Sequence, residues 1–251
     1  MNEIVSLFGD WAYKLRASLI DELYDLGTTR SSSNQLELER VNAKRIGVLT
    51  TFENILQPKD YPKSRFSLFR NDVTHNIHRP YAAANVADYP DPEPNYANLP
   101  GYYTQGFEAE LYYDSSRFIG SVSLSLQEGK HTGSLIDTGA KDQPVYYIAP
   151  AKLVTSLAYK FADDQMILGW KGNFVAAQNE VPDDATGSPY PETDGFGVHD
   201  IFYSWKPVDG TFEGAELRMT LQNIFDRNYE RYLGVFPDKG RNFKISLSHK
   251  F

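Results

Sequence analysis

The sequence predicts an all-β, antiparallel transmembrane β-barrel segment of about ten strands, and three observations carry that expectation. Segments of about ten residues alternate apolar and polar along most of the chain, near the length needed to cross a bilayer at a barrel's tilt. The connections between them alternate short and long. The last segment, Asn242-Phe243-Lys244-Ile245-Ser246-Leu247-Ser248-His249-Lys250-Phe251, is itself a strand that ends on an aromatic. Side chains along a strand point to opposite faces at period two, so Phe243, Ile245, Leu247 and Phe251 fall on one face and Lys244, Ser246, Ser248 and Lys250 on the other. One apolar and one polar face fit lipid outside and a polar lumen inside.

The first 35 residues admit two readings. Leu7, Trp11, Leu15, Leu19, Leu23 and Leu26 recur at helical spacing and fit an amphipathic helix. The other reading is a strand over 4–16 followed by a long loop to 42. Further strands are expected at 43–54, 65–76, 102–113, 117–128, 152–161, 165–176, 196–206 and 215–225, before the terminal one. In the fourth of these eight, Phe118, Val122, Leu124 and Leu126 oppose Ser121, Ser123, Ser125 and Gln127. Leu153, Leu157, Tyr159 and Phe161 oppose Lys152, Ser156 and Lys160 in the same way. Leu168, Trp170 and Phe174 oppose Lys171 and Asn173, and Leu217, Met219 and Leu221 oppose Arg218, Thr220 and Gln222. With the strand reading at 4–16 the count is even and both ends lie on one side, as a barrel or a contiguous piece of one requires.

Short turns are expected at Asp114-Ser115-Ser116, at Ala162-Asp163-Asp164 and from Val208 to Gly214, with a somewhat longer one from Gln57 to Ser64. Long Pro/Gly/Asp-rich loops are expected at 77–101, 129–150, 177–195 and 227–241. Short turns on the periplasmic side and long loops outside are the arrangement of outer-membrane barrels. A soluble sandwich would carry turns of similar length at both ends.

Composition removes other classes. Aromatics are 14% of the chain, with 17 Tyr and 15 Phe, which suits strands and interfacial girdles. Mean hydropathy is −0.47, and no run approaches the roughly 18 apolar residues of a membrane helix. A net charge of −8 argues against nucleic acid as a partner. The chain has no cysteine, so thiol catalysis and thiolate metal sites are out. No Gly-x-Ser-x-Gly elbow and no glycine-rich phosphate loop occur, so no enzyme is expected. Met1-Asn2-Glu3 is not a basic leader start, which predicts a removed signal or a portion of something longer, and the portion is the expectation adopted.

Leu221-Gln222-Asn223-Ile224-Phe225-Asp226-Arg227-Asn228-Tyr229, then Gly240-Arg241-Asn242-Phe243 and the final Phe251, resemble the end of a TonB-dependent outer-membrane receptor. Gly106-Phe107-Glu108-Ala109-Glu110-Leu111 and Gly195-Phe196-Gly197-Val198-His199-Asp200 resemble strand openings of the same family. Leu15-Arg16-Ala17-Ser18 resembles the Phe-Arg-Ala-Pro box of haem and haemoglobin receptors, and Asn34-Gln35-Leu36-Glu37-Leu38-Glu39-Arg40 resembles the Asn-Pro-Asn-Leu box that follows it. The resemblance implies a bacterial outer-membrane location and a carboxyl-terminal portion of a barrel of about 22 strands, its plug domain absent here. It implies two parts: 1–42, a box-containing strand and extracellular loop, and 43–251, the carboxyl-terminal barrel strands. It further implies uptake of haem or a haemoprotein-derived iron source, with lipid around the barrel and TonB coupled through the parent receptor's plug. A ferric-siderophore receptor of the same fold and a truncated barrel acting as a passive pore are the alternatives. Finally, it implies that the insertion machinery reads the last strand through Phe251.

No resident cofactor or metal site is expected; haem enters as a transported ligand. Both box prolines are missing, and Ala17 to Gln35 holds no histidine to serve as the usual external ligand. The remaining donors for haem iron are His75, His78 and His131, which fall at strand ends and in the next loop, and Tyr24. The opposing reading makes them solvated loop residues. His199 faces lipid or lumen, and His249 sits where a girdle aromatic belongs. Acidic residues gather at Asp88, Asp91 and Glu93 and at Asp183, Asp184, Glu192 and Asp194, without calcium-loop spacing. Tyr102, Tyr103, Tyr146, Tyr147 and Tyr190 near the loop ends are stacking or girdle candidates.

Overall fold

The computed structural model describes residues 4–24, 33, 35–78, 96–133, 142–161, 164–183 and 188–250. In chain order the elements are β1 (Ile4–Arg16), α1 (Ile20–Leu23), β2 (Glu39–Thr51), β3 (Lys63–Thr74), β4 (Asn76–His78), β5 (Ala97–Leu99), β6 (Tyr102–Asp114), β7 (Phe118–His131), β8 (Lys152–Phe161), β9 (Met166–Val175), β10 (Phe196–Trp205), β11 (Ala215–Gln222) and β12 (Asn242–His249). Ten of the strands form one antiparallel sheet in the order β1-β2-β3-β6-β7-β8-β9-β10-β11-β12, with β1 and β12 at its edges. β4 and β5 pair separately as a small hairpin. Among the described residues no helix is long and apolar enough to cross a membrane.

The register settles the ambiguous start. β1 pairs with β2 from Ile4↔Thr51 to Arg16↔Glu39, so the leucine spacing that suggested a helix is carried by a strand. Val5, Leu7, Trp11, Tyr13 and Leu15 alternate at period two, and the helix is confined to the four residues of α1. β2 begins at Glu39 rather than 43, because Arg16 has its register partner there. β7 runs on to His131, which is therefore a strand residue and not the start of a loop. The segment expected as a plain loop from 77 contains β4 and β5 instead. His75, at φ 57°, turns the chain out of β3 and into that hairpin. β11 stops at Gln222, since Asn223 adopts φ 49°.

Partners directly across an antiparallel ladder share a face. Ile46, Leu68, Phe107 and Leu126 are consecutive register partners on β2, β3, β6 and β7. Farther along the sheet, the same face carries Leu157, Trp170, Ile201, Leu221 and Phe243. These positions form an apolar belt across the sheet, and Leu68, Leu157, Ile201 and Phe243 are exposed on it. Two residues toward the long loops, the row becomes Trp11, Lys44, Arg70, Gln105 and Glu128. The face thus turns from apolar to polar between those two rows, about 7 Å apart. The opposite face is polar: Arg45 lies 3.8 Å from Glu108, Ser67 donates to Glu108 at 3.2 Å, and the Ser121 and Ser156 hydroxyls share a 2.7 Å hydrogen bond. His199 falls on the lipid-facing side, where Trp170 Nε1 donates to its Nδ1 at 3.2 Å and Phe174 and Phe225 meet its ring edge-on. His249 is on that side too, opposite Ala215 at the periplasmic end.

The short turns are held by their own side chains. Asp60, 2% exposed, accepts from the backbone N–H groups of Ile55, Leu56 and Gln57 and from the Tyr113 hydroxyl. Burial alone would push its carboxyl up, but these four donors hold it below the usual carboxylate range. At the other end the long connections are tied to one another. Gln143 and Asp183 exchange two hydrogen bonds at 3.0 Å, Gln178 donates to the Ile148 carbonyl at 2.8 Å, and the Tyr232 hydroxyl donates to the Tyr146 carbonyl at 2.7 Å.

Candidate ligand-binding rim

The extracellular end of the polar face is built around Arg16. Its Nε and Nη2 donate to the two carboxylate oxygens of Glu39 at 3.2 Å each, and Nη1 donates to Glu22 at 2.9 and 3.1 Å. Nη2 also reaches the Ile77 carbonyl at 3.3 Å, while the Ile77 N–H donates back to Glu39 at 3.1 Å. Glu22 is only 8% exposed, and its second oxygen accepts the Leu19 N–H at 2.7 Å. One guanidinium thus joins β1, α1, β2 and β4, with two carboxylates to balance it. A second knot lies beside it. Asn98 on β5 accepts from the Glu37 N–H and donates to the carbonyls of Glu37 and His75.

On this scaffold the structure places the four donors differently. His131 closes β7 as the register partner of Tyr102, their rings 5.9 Å apart and edge-on. His78 ends β4 and lies within electrostatic reach of His131. The His131 Nδ1 is buried and has no hydrogen-bond partner among the described residues. His75 turns toward Glu37, 3.0 Å from its Nε2, although its Nδ1 is buried and unpartnered as well. Tyr24 caps α1, donating its backbone N–H to the Ile20 carbonyl, and its side chain is exposed. The rim therefore sets His131 against Tyr102 with His78 within electrostatic reach, ties His75 to an acid, and leaves Tyr24 on the outer turn. An unpartnered imidazole nitrogen is a neutral donor suited to iron. Arg16, Glu22 and Glu39 escaped sequence reasoning as a unit. The signal was present only as two boxes, each holding one member of the pair.

The carboxyl-terminal motif is architectural. Asn223, 3% exposed, accepts the Arg227 N–H at 2.8 Å and donates to the Arg227 carbonyl at 2.8 Å, while its own N–H donates to Asp200 at 2.8 Å. Asp226 accepts the Arg241 N–H at 2.7 Å. A Cβ added at Gly240 would stand 2.8 Å from that Asp226 oxygen and would have to displace it. Tyr229 packs on Phe196 at 4.3 Å, and Phe225 sits in the His199 girdle. Phe251, Asp88, Asp91, Glu93 and Asp184 lie outside the described residues. Among the described residues no cluster of three or more His, Cys, Asp or Glu has metal-binding geometry.

The family described as TonB dependent receptor-like, β-barrel, matches residues 1–224. The chain belongs to this family. Members are outer-membrane proteins. The chain is similar to a TonB-dependent heme receptor A of Haemophilus influenzae, 32% identical over an alignment of 271 positions that covers 100% of this chain and 36% of that protein. It therefore spans about a third of the length of that relative. Among solved structures it resembles the copper transporter OprC, with a TM-score of 0.75 at 18% identity, covering 100% of this chain and 38% of that one. The FrpB iron transporter of Neisseria meningitidis aligns with a TM-score of 0.73 at 20% identity, covering 98% and 37%. These likenesses show the fold: a ten-strand portion of a TonB-dependent barrel. The relatives are receptors and transporters, not enzymes.

Proposed function

We propose that this chain forms part of the wall and extracellular rim of an outer-membrane receptor that takes up haem or a haemoprotein-derived iron source. The observation that carries the reading is the His131 imidazole, buried at the loop end of the polar face with a free Nδ1, beside Tyr102 and within reach of His78. Its support from relatives is the haem receptor of Haemophilus influenzae, which this chain matches along its whole length. In this reading the rim supplies an axial contact to ferric iron, and Tyr102 offers an aromatic edge to the porphyrin. Arg16 does not serve as a partner for the porphyrin carboxylates, because both sides of its guanidinium are already committed. Gating by a plug and energy coupling through TonB belong to the complete receptor.

The test is a titration of the folded chain with ferric haem, followed in the Soret region and compared with a ferric catecholate followed by tyrosine fluorescence. Saturable haem binding at one per chain is expected. Absence of haem binding overturns the proposal, and catecholate binding in its place supports a siderophore receptor of the same fold.

A further inference from the structure

A cavity that the histidine rim does not use, about 630 Å³, lies between the connections that follow β7, β9 and β11. Four aromatic side chains line it among polar ones. Tyr146 and Tyr232 stand 6.1 Å apart, ring centre to ring centre, and Tyr229 packs on Phe196 at 4.3 Å. The bonds from Gln143 to Asp183 and from the Tyr232 hydroxyl to the Tyr146 carbonyl join the loops, so the cavity is formed before anything enters it. The lining also carries Glu192, Asp194 and Glu230 against a single cation, Arg227, and none of the three carboxylates has an ion-pair partner among the described residues.

Tyrosine faces attract a cation through the ring quadrupole, and unpaired carboxylates add to that attraction. A planar ligand bearing carboxylates would meet the wrong sign of charge, so this is not a second seat for haem. The mouth shows what carries the cation. Val235 is 81% exposed, and Leu233 is exposed beside it. An apolar rim around a charged aromatic pocket fits a protein surface better than a free ion. We propose that this cavity is a docking pocket for an arginine or lysine side chain of a protein that lands on the extracellular face. The proposal rests on the cavity alone and not on the iron source.

The probe is an acetylated pentapeptide, Leu-Ser-Arg-Ser-Leu, titrated into the folded 251-residue chain and followed by saturation-transfer NMR. Its citrulline counterpart and N-acetylarginine amide are the controls. The arginine peptide is expected to saturate, with the citrulline peptide about tenfold weaker or more. Glu192→Gln combined with Asp194→Asn should weaken the arginine peptide by a similar factor, with β-sheet circular dichroism unchanged. Val235→Ser should weaken the peptide and leave the amide unaffected. Equal binding of the citrulline peptide, or silence of the charge variants, overturns the pocket. If the amide binds as well as the peptide and Val235→Ser is silent, the site takes a free cation and protein docking is overturned.

Discussion

Arg16 and Glu39 are the last register pair of β1 and β2, and they are joined by two parallel hydrogen bonds of 3.2 Å. The pair welds two sequence boxes 23 residues apart, and through Glu22 and Ile77 it holds the start of the extracellular rim. Arg16→Ala would leave Glu22, nearly buried, without its counter-ion. The guanidinium is itself about a third exposed, so the loss is set below that of a fully buried pair, at about 1–3 kcal/mol. Urea unfolding of the refolded chain checks this, and Glu39→Gln should cost less than Arg16→Ala. An unchanged midpoint for Arg16→Ala would remove the weld from the account.

Charge separates the two faces. Leu124→Arg and Leu157→Arg point into the apolar belt and should destabilise the chain in lipid by about 2–4 kcal/mol. Ser123→Arg, on the polar face, should be close to neutral. Ser156→Arg forfeits the bond to Ser121 and should cost about 1 kcal/mol. A reversed ranking means a register slip of one residue, which exchanges every face.

The turn after β11 depends on one side chain. Asn223→Ala removes three hydrogen bonds of its buried amide and places alanine at φ 49°, so a loss of about 2–4 kcal/mol is expected. Differential labelling of Arg241 and Lys239 should show the same turn opening in the variant.

Acid should loosen the β2–β3 turn. Because the folded state holds the Asp60 carboxyl below its unfolded value, its contribution to stability is complete above the ordinary carboxylate range near pH 4 and fades as pH falls through the lowered value. Asp60→Asn should flatten the acid limb of the stability curve and change little near neutrality beyond a constant offset. An acid limb identical to wild type contradicts this assignment.

Most of the fold was legible because barrel strands write their two environments at period two. Phe243, Ile245 and Leu247 against Lys244, Ser246 and Ser248 are read directly. Strand ends were less legible, since Glu39 and His131 extend their strands through cross-strand partners that no local pattern announces. The helical spacing of Leu7, Trp11, Leu15 and Leu19 is a coincidence that thirteen pairings with β2 override. The β4–β5 hairpin escaped notice because three-residue strands carry too little periodicity. The histidines were visible as residue types, but only tertiary structure brings His78 within electrostatic reach of His131 and diverts His75 to Glu37. Tyr146, Glu192 and Tyr232 come from three separate connections, so their cavity has no sequence signature.

The central claim is that the His78–His131 rim supplies the contact to haem iron. Soret titrations of His131→Ala, His78→Ala, His75→Ala and Tyr24→Phe against the unaltered chain test it most directly. His131→Ala should weaken haem binding by about tenfold or more and shift the Soret maximum, with His78→Ala weaker in effect and the other two matching the unaltered chain. Full binding by His131→Ala, or loss confined to His75→Ala or Tyr24→Phe, would contradict the account.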